Sequence, residues 1–292
     1  EKFLWKIDKI EIFSDNLQGE KVLNFHNKNQ YLFALIRNKD LFYYLFSNLK
    51  KSKFFNFKNY QKLNIDDYNL VINCDANNII SKKFFFKNLE KNYDGFAYTS
   101  VIKHKKIKKN KIASQIFTKN GPLAFLPISD TETSIVYSFN GNQKIDLNKL
   151  IQKYNTKYSI SNFSNSTAFK LKSSNLRTYY YKNILAFGDL LHRIHPLAGQ
   201  GFNMTIRDIK QLKDIINTRV SLGLEINSSI YSEFEKKIKH KNFLFSSGVD
   251  LIYEFFNLER IIDNKKLGKV IRLFGRNKYL TNFLTRLADN GM

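Results

Sequence analysis

The chain has 292 residues, of which 43% are hydrophobic and 15% aromatic, so it can bury a sizeable core and is not a disordered polymer. The net charge of +23 fits nucleic acid, an anionic membrane or an acidic ligand, but Lys, Asn and Ile are overused throughout, so charge alone selects no partner. The single cysteine, Cys74, excludes an internal disulfide framework and fits a reducing, cytoplasmic compartment.

The N-terminal third predicts a hairpin, a helix and a buried strand. Residues 3–13 alternate apolar and polar side chains, and residues 21–25 do the same, which is typical of a two-stranded hairpin. Residues 31–49 change to helical period, with leucines at four-residue spacing on one face. Residues 68–74 form a compact apolar run that indicates a buried parallel strand, and Asp75 ends it.

The middle of the chain predicts a mainly antiparallel sheet. Its β-type segments are residues 96–102, 113–118, 124–128 and 133–139. Residues 103–111 hold six lysines in nine positions and predict a loop or the tip of a hairpin. A helix is expected near 147–154, and the Ser/Asn-rich stretch from there to 176 reads as irregular.

A strand, a glycine-containing loop and a helix follow in immediate succession near residue 200. Residues 183–187 are a short apolar run, and residues 204–220 have helical period. The loop between them therefore leads into a helix N-terminus, where free backbone N–H groups and the helix dipole favour anions. Gly199 and Gly201 remove side chains where a ligand would approach the backbone, and Asp189 can accept hydrogen bonds from a polyol or ribose. Helical spacing resumes over residues 228–256.

Residues 188–203 read Gly-Asp-Leu-Leu-His-Arg-Ile-His-Pro-Leu-Ala-Gly-Gln-Gly-Phe-Asn. This segment resembles the second FAD-binding signature of class A flavin-dependent aromatic hydroxylases, and in particular of the ubiquinone-biosynthesis hydroxylase family. Eleven positions match in order, while Leu190 and Leu191 replace small alanines. The resemblance implies that FAD contacts a set of residues here, namely Gly188, Asp189, Pro196, Gly199, Gln200, Gly201, Phe202 and Asn203.

Weaker similarity to the same family lies elsewhere in the chain. Arg37, four residues before Leu41, fits the place of an arginine that contacts the cofactor. Asp75 matches the aspartate of an Ala-Asp-Gly motif, although the glycine is Ala76 here and a later arginine is a lysine. Residues 117–127 read Phe-Thr-Lys-Asn-Gly-Pro-Leu-Ala-Phe-Leu-Pro and are similar to the substrate sheet of the family. This similarity implies substrate-side positions at Gly121, Pro122 and Leu123.

The resemblance implies an α/β fold in which a Rossmann-like FAD-binding domain is interleaved with a mainly antiparallel β-sheet substrate domain and followed by C-terminal helices. No Gly-x-Gly-x-x-Gly loop follows a strand in this sequence, so we expect an N-terminally incomplete chain that lacks the first βαβ unit of the cofactor domain. The expected parts are a substrate-domain hairpin at 1–30, FAD-domain parts at 31–82 and 179–222, the substrate sheet at 83–178 and helices at 223–292.

The function implied by the resemblance is FAD-dependent hydroxylation of an aromatic ring with NAD(P)H as electron donor, the flavin carrying out the oxygen chemistry. The implied substrate is a lipophilic polyprenyl phenol intermediate of ubiquinone biosynthesis, and other proteins of that pathway are expected partners. Two alternatives remain open, a flavin monooxygenase acting on another aromatic substrate and a non-catalytic scaffold. No side chain stands out as a catalytic acid or base.

Residues 265–286 carry seven basic residues and no acid among regularly spaced apolar ones. This pattern predicts an amphipathic helix that lies on an anionic membrane surface, at the inner face of the cytoplasmic membrane, or else a plain solvated helix. Nucleic acid is a disfavoured partner. His192 and His195 lie three residues apart, but no further ligand follows at suitable spacing, so no metal site is expected.

Overall fold

The computed structural model describes residues 3–15, 21–26, 31–59, 64–195 and 200–262. These residues divide into two compact units. The first unit contains the described parts of residues 1–58 and 94–170 together with the end of the last helix from 256, and the second contains those of 59–93 and 171–255. Each unit has a hydrophobic cluster of its own.

The first unit is built on a large sheet. Its elements are β1 (Trp5–Ile7), β2 (Lys9–Ser14), β3 (Lys21–His26), β4 (Phe33–Leu35), α1 (Asn38–Leu49), most of β6 (Asn88–His104), β7 (Ile112–Thr118), β8 (Gly121–Pro127), β9 (Glu132–Asn140), α3 (Leu147–Tyr154), β10 (Ile160–Phe163) and the start of β11 (Thr167–Leu176). The strand order β6-β9-β8-β7-β2-β3 is antiparallel except that β2 runs parallel to β7.

Period-two burial explains why these segments form a sheet with one covered face. Every second residue of β8 is buried, and Leu123 and Ile135 on neighbouring strands are fully buried. The side chains of α3, anchored by Ile151, pack into the same cluster. The predicted β segments and the predicted helix at 147–154 are therefore confirmed.

Three local predictions in this unit are wrong. The stretch 3–13 is interrupted at Asp8, since β1 pairs with β4 and only β2 forms the hairpin with β3. Because Phe33–Leu35 is a strand, the following helix begins at Asn38 rather than at residue 31. The Ser/Asn-rich stretch forms β10 and β11, whose polar side chains are accommodated because much of each strand is solvent-exposed.

The second unit combines a small sheet with long helices. Its elements are β5 (Val71–Asn73), α2 (Ile79–Phe84), the end of β11, β12 (Tyr180–Tyr181), β13 (Ile184–Ala186), β14 (His192–Arg193), α4 (Gln200–Ser221) and most of α5 (Ser229–Ile262), with short 3-10 turns at Ile65–Asp67 and Gly188–Leu190. The strand order is β12-β13-β5, and β13 runs parallel to β5. The core contains Leu185, Leu191, Ile215, Ile230 and Phe234, all at most 1% exposed.

The predicted strand at 183–187 and the predicted helices at 204–220 and 228–256 are confirmed in kind, the last extending to Ile262. Among the described residues, none of the helices combines the length and the apolarity needed to cross a bilayer. Residues 31–58 lie with the first unit and residues 223–255 with the second. The functional domain boundaries stay a prediction, because compactness does not say which unit binds a cofactor.

Candidate functional site

The centre of the candidate site is the edge where β5 and β13 both end. The two strands are parallel, with Asn73 opposite Ala186, so their carboxyl ends lie side by side. The backbone N–H of Phe187 donates to the carbonyl of Asn73 over 2.9 Å and continues the pairing one step further. Asp75 lies two residues after the end of β5, and Asp189 lies three residues after the end of β13. Ligands of open α/β sheets bind at this kind of edge.

The turn after β13 presents Asp189 to solvent. Gly188 has φ +60°, a left-handed conformation that glycine adopts without strain. The N–H of Leu191 closes the turn by donating to the Gly188 carbonyl over 3.0 Å. Leu190 and Leu191 are buried while Asp189 is exposed, so the turn anchors apolar side chains inward and leaves one carboxylate outside. Burial, and the nearby negative charge of Asp189, raise the pKa of the Cys74 thiol at the end of β5.

Asp75 is held by a network of polar side chains. Its carboxylate accepts from the N–H of Asn77 over 2.8 Å, and its carbonyl accepts from the Ser81 hydroxyl. Asn78 caps α2 by accepting from the N–H of Ser81 over 2.9 Å. Asn73 donates to the Ser81 hydroxyl over 2.8 Å, which ties the end of β5 to α2. The structure thus fixes the Asp75 backbone although the glycine of the family motif is absent.

The third part of the site is the start of α4. The N–H groups of its first turn have no intrahelical acceptor, and the positive end of the dipole of this 22-residue helix lies at the same terminus. Gln200 accepts a hydrogen bond from the Asn203 side chain over 3.1 Å, and Phe202 is 50% exposed. Among the described residues, a Cβ added to Gly201 would meet only the Ile194 side chain, at an ordinary 3.7 Å. Pro196 and Gly199 lie outside the described residues.

A buried polar network connects the strand before this helix to the helix itself. His192 on β14 donates from Nε2 to the carboxylate of Asp208 on α4 over 2.6 Å, and both residues are at most 2% exposed. The same carboxylate accepts from the Asn242 amide on α5 at 3.3 and 3.4 Å. The network therefore holds both ends of the segment that carries the candidate cofactor loop.

Asp208 and Asn242 were missed by the sequence analysis. The signal was present, because Asp208 occupies the buried stripe of α4 between Met204 and Leu212 at four-residue spacing. A charged residue at a core-facing position implies a buried partner.

His195, the other histidine of the motif, is fully buried. Its ring lies against Tyr93 at 4.8 Å and Tyr253 at 4.4 Å between centroids. The Tyr93 hydroxyl bonds to Ser173 and to Asp250. Burial, and then the positive charge of Lys91, lower the pKa of His195 to about 4, so the ring is neutral near pH 7. It acts as an aromatic part of the core next to the loop.

The remaining predicted residues lie in the first unit. Arg37 precedes α1 and forms a partly exposed ion pair with Glu132. Gly121 has φ +132°, and a Cβ there would lie 1.8 Å from the Ser138 carbonyl oxygen, so the fold itself requires this glycine. Leu123 is fully buried in the core, while Pro122 is half-buried. Their assignment to cofactor and substrate stays a prediction.

The geometry of the second unit suits one kind of ligand. Two carboxylates, Asp75 and Asp189, can accept hydrogen bonds from hydroxyl groups at the end of the parallel strands. The N-terminus of α4 can donate to an anionic group. The ligand that matches both is large, hydroxylated and anionic, as a dinucleotide is.

Searches for similar proteins agree with this interpretation. No family model matches the chain. The ubiquinone biosynthesis monooxygenase COQ6 of Schizosaccharomyces pombe is 24% identical over 274 residues, covering 76% of this chain and 57% of that protein. The human COQ6 protein is 25% identical over 233 residues, covering 64% and 50%. The 3-demethoxyubiquinol 3-hydroxylase of Escherichia coli is 31% identical over 153 residues, covering 49% and 39%.

The chain thus spans about half the length of the curated relatives that it matches. Among solved structures, p-nitrophenol 4-monooxygenase PnpA of Pseudomonas putida superposes with a TM-score of 0.74 at 10% identity, covering 97% of this chain and 80% of that one. Klebsiella pneumoniae HpxO, solved with FAD and uric acid, gives a TM-score of 0.69 at 10% identity, covering 98% and 82%. The predicted resemblance and the predicted fold class are confirmed: the chain is similar in sequence to ubiquinone-biosynthesis hydroxylases, and its fold is shared by solved FAD-dependent monooxygenases.

Proposed function

We propose that the chain is the cofactor- and substrate-binding part of an FAD-dependent monooxygenase that uses NAD(P)H and O2 to hydroxylate an aromatic ring. The observation that carries the proposal is the edge where two parallel strands end and are followed by Asp75 and Asp189, in the unit that also contains the N-terminus of α4. The activities after which the relatives are named support a polyprenyl phenol intermediate of ubiquinone biosynthesis as the substrate. The FAD complex among the fold neighbours supports the cofactor.

The residues at this edge fit FAD on structural grounds. Gly201 does not have a left-handed backbone, and among the described residues only the Ile194 side chain would contact a Cβ there, so its missing side chain would leave space for a ligand outside the helix. Asp189 is exposed and would accept from ribityl or ribose hydroxyls. The N–H groups of Gln200, Gly201 and Phe202 would face an anionic part of the cofactor. By resemblance, Arg37, Pro196, Gly199 and Asn203 complete the set.

When bound, FAD supplies the redox chemistry that activates O2. The residues of the chain bind, orient and shield the reactants. N–H groups at the start of α4 stabilise negative charge on the cofactor, and by resemblance Gly121, Pro122 and Leu123 lie on the substrate side. In this proposal none of these residues transfers a proton as an acid or base.

A lipophilic substrate makes a membrane surface the natural place of action. We propose that the protein works as a peripheral protein at the inner face of the cytoplasmic membrane, alongside other ubiquinone-biosynthesis proteins. The basic amphipathic segment 265–286, predicted to contact anionic lipid, lies outside the described residues.

The test is flavin binding by protein produced from its complete reading frame. We expect absorbance maxima at about 375 and 450 nm, characteristic of bound flavin. Asp189→Ala removes an exposed acceptor and Gly201→Val fills the open space, so each should raise the dissociation constant for FAD about tenfold or more.

Two variants serve as matched controls. Asp214→Ala removes another exposed carboxylate of the second unit, and Gly201→Ala adds only a Cβ at ordinary contact distance. Asp214→Ala should bind FAD nearly as well as the unmodified protein, and Gly201→Ala should keep the stability of the unmodified protein, so that a loss of FAD affinity in the glycine variants reports on the cofactor contact and not on folding. A folded, colourless protein that takes up no added FAD would contradict the proposal and favour a non-catalytic scaffold. A flavoprotein that oxidises NAD(P)H and hydroxylates a non-prenylated phenol, but not a polyprenyl phenol, would favour another aromatic substrate.

A further inference from the structure

The second unit contains a cleft that the candidate site does not use. Its volume is about 930 Å³, which lies within the range of roughly 300–1,000 Å³ that is typical of small-molecule sites. One wall comes from residues between Asn175 and Tyr180, at the end of β11 and the start of β12. Another comes from α5 between Ser232 and Phe243, and Leu89 at the start of β6 adds to the lining. All of these residues belong to the second unit.

Three described segments build this cleft. The backbone N–H of Arg177 donates to the carbonyl of Lys87 over 3.0 Å, so residues 87–89 lie beside the chain that leads from β11 into β12. The parallel edge strand of the small sheet is β5, at the other end of the order β12-β13-β5. A further parallel strand of this sheet would therefore pair with β5, on the side away from the cleft.

The charged groups of the cleft are mostly basic. Arg177, Lys236 and Lys239 line it together with the carboxylate of Glu235. That carboxylate accepts from Lys239 Nζ over 2.6 Å and from the N–H of Tyr179 over 3.3 Å, so its charge is compensated within the wall. Arg177 and Lys236 are exposed, and among the described residues neither forms an ion pair. Two cations are therefore available to an anionic ligand.

Apolar and amide groups form the rest of the lining. Leu176 and Tyr179 are 5% and 2% exposed, whereas the ring of Phe243 is 50% exposed and open to a ligand. The side chain of Asn175 donates from Nδ2 to the Ser246 hydroxyl over 2.8 Å. Its Oδ1 is buried and accepts no hydrogen bond from the described residues. An unpaired buried acceptor costs free energy, which a hydroxyl or amino group of a ligand would recover.

These properties together point to one class of ligand. Two free cations, one of them a guanidinium, match a phosphate group, which arginine binds through two parallel hydrogen bonds. An exposed aromatic ring matches a planar base, since base–aromatic stacking is worth about 1–3 kcal/mol. The amide acceptor matches a sugar hydroxyl or an exocyclic amino group. The basic segment 265–286 does not match, because its charge has the same sign as that of the cleft.

We propose that this cleft binds a nucleotide through its phosphate and its base. Two sources carry this chemistry, the electron donor NAD(P)H and a separate adenine nucleotide. The first source rests on the proposed function, whereas the second does not. The position of the cleft suits the first, because the Tyr179 carbonyl accepts from the N–H of Ala186 over 2.8 Å. This wall therefore lies next to the end of β13, which leads to Asp189.

The first experiment is calorimetric titration of the whole protein with adenosine monophosphate (AMP), with FAD added to saturate the candidate cofactor edge. AMP should bind at least about tenfold more tightly than adenosine, which lacks the phosphate, or inorganic phosphate, which lacks the base. Arg177→Glu/Lys236→Glu should lower the affinity for AMP about 100-fold or more. Phe243→Ser should lower the affinity for both AMP and adenosine about tenfold.

The chain offers matched controls for these changes. Lys210→Glu/Lys213→Glu makes the same kind of charge change at exposed positions of α4, and Leu244→Ser removes a 49% exposed apolar side chain next to Phe243. Each control should keep the affinity for AMP within about threefold, since exposed substitutions rarely disturb a fold. Asp189→Ala should keep it as well, which would show that AMP does not occupy the candidate cofactor edge.

Steady-state kinetics distinguish the two sources. If the cleft binds the electron donor, AMP competes with NAD(P)H, and Arg177→Glu/Lys236→Glu raises KM for NAD(P)H about tenfold or more with little change in kcat. If it binds a separate nucleotide, the same variant loses AMP and keeps KM. AMP that binds no more tightly than adenosine or phosphate would overturn the proposal, as would equal losses in cleft variants and controls. A protein that takes up no flavin but binds AMP in the cleft would contradict the hydroxylase proposal alone.

Discussion

The buried carboxylate of Asp208 provides the sharpest test of how the candidate site is held together. It accepts one short hydrogen bond from His192 and two longer ones from Asn242, and it is 2% exposed. Asp208→Ala would leave the His192 Nε2–H buried without this acceptor, and an unsatisfied buried donor costs about 1–3 kcal/mol. Because the Asn242 amide loses the same acceptor, we expect the free energy of unfolding to fall by about 3 kcal/mol in total. This value is at the lower end of those for broken buried pairs.

The assay is chemical and thermal unfolding followed by far-ultraviolet circular dichroism. For a unit of about 120 residues, about 3 kcal/mol corresponds to a fall in Tm of roughly 12 °C. Asp208→Asn keeps the volume and one acceptor oxygen, so it should cost about 1 kcal/mol. Asp214→Ala, an exposed carboxylate on the same helix, is the control and should change stability by less than about 0.5 kcal/mol.

A double-mutant cycle isolates the hydrogen bond itself. His192→Ala leaves the Asp208 carboxylate buried without its short donor, so it too should be strongly destabilising. The double variant should then cost at least about 1 kcal/mol less than the sum of the two single changes. Additive effects, or equal costs for Asp208→Ala and Asp214→Ala, would refute the idea that this pair holds the loop segment to α4.

Three further predictions concern separate residues. Gly188→Ala should lower the free energy of unfolding by about 1–2 kcal/mol in thermal unfolding, because φ is +60° although a Cβ would meet no atom within 4 Å. The pKa of His195 is about 4 in the folded protein against 6.5 for the free side chain, so its contribution to stability is present above pH 6.5 and is lost as the pH falls toward 4. Relative to His195→Gln, the unmodified protein should lose roughly 2 kcal/mol more between about pH 7.5 and about pH 5 in urea titrations. Arg37→Ala breaks a partly exposed ion pair and should cost less than about 1 kcal/mol, so a large fall in FAD affinity measured by fluorescence titration would report a cofactor role rather than instability.

Much of the fold follows from the periodicity of the sequence. Strand β8 alternates buried and half-buried residues, and α4 places Met204, Leu212 and Ile215 on one buried stripe. Both patterns are local and can be counted from the printed sequence. The strand–loop–helix arrangement at 183–220 follows from the same reasoning. The short apolar run predicts a strand, the long stretch of helical period predicts a helix, and the glycine-containing residues between them form the loop.

Other features depend on contacts between distant segments. The alternation of apolar residues changes phase at Asp8, from Trp5 and Ile7 to Ile10 and Ile12, so the break itself is visible in the sequence. The pairing of β1 with β4 rather than with β3 is not, because it is decided by which edge is available in three dimensions. Strand β11 is formed from residues rich in Lys and Ser because its neighbours supply backbone partners, not because its side chains favour a strand. Likewise, the exposure of Phe54 and Phe57 cannot be read from apolar residues that would equally suit a core.

Two glycines from the family-like motifs show how structure separates a requirement of the fold from a requirement of a ligand. At Gly121 the backbone has φ +132° and a Cβ would overlap the Ser138 carbonyl, so the fold alone explains the residue. At Gly201 the backbone needs no glycine and a Cβ would make an ordinary contact. Among the described residues, no contact gives a reason for a glycine at position 201. A cofactor that approaches the start of α4 is such a reason, which is why Gly201→Val should affect FAD binding while Gly121→Ala should first affect folding.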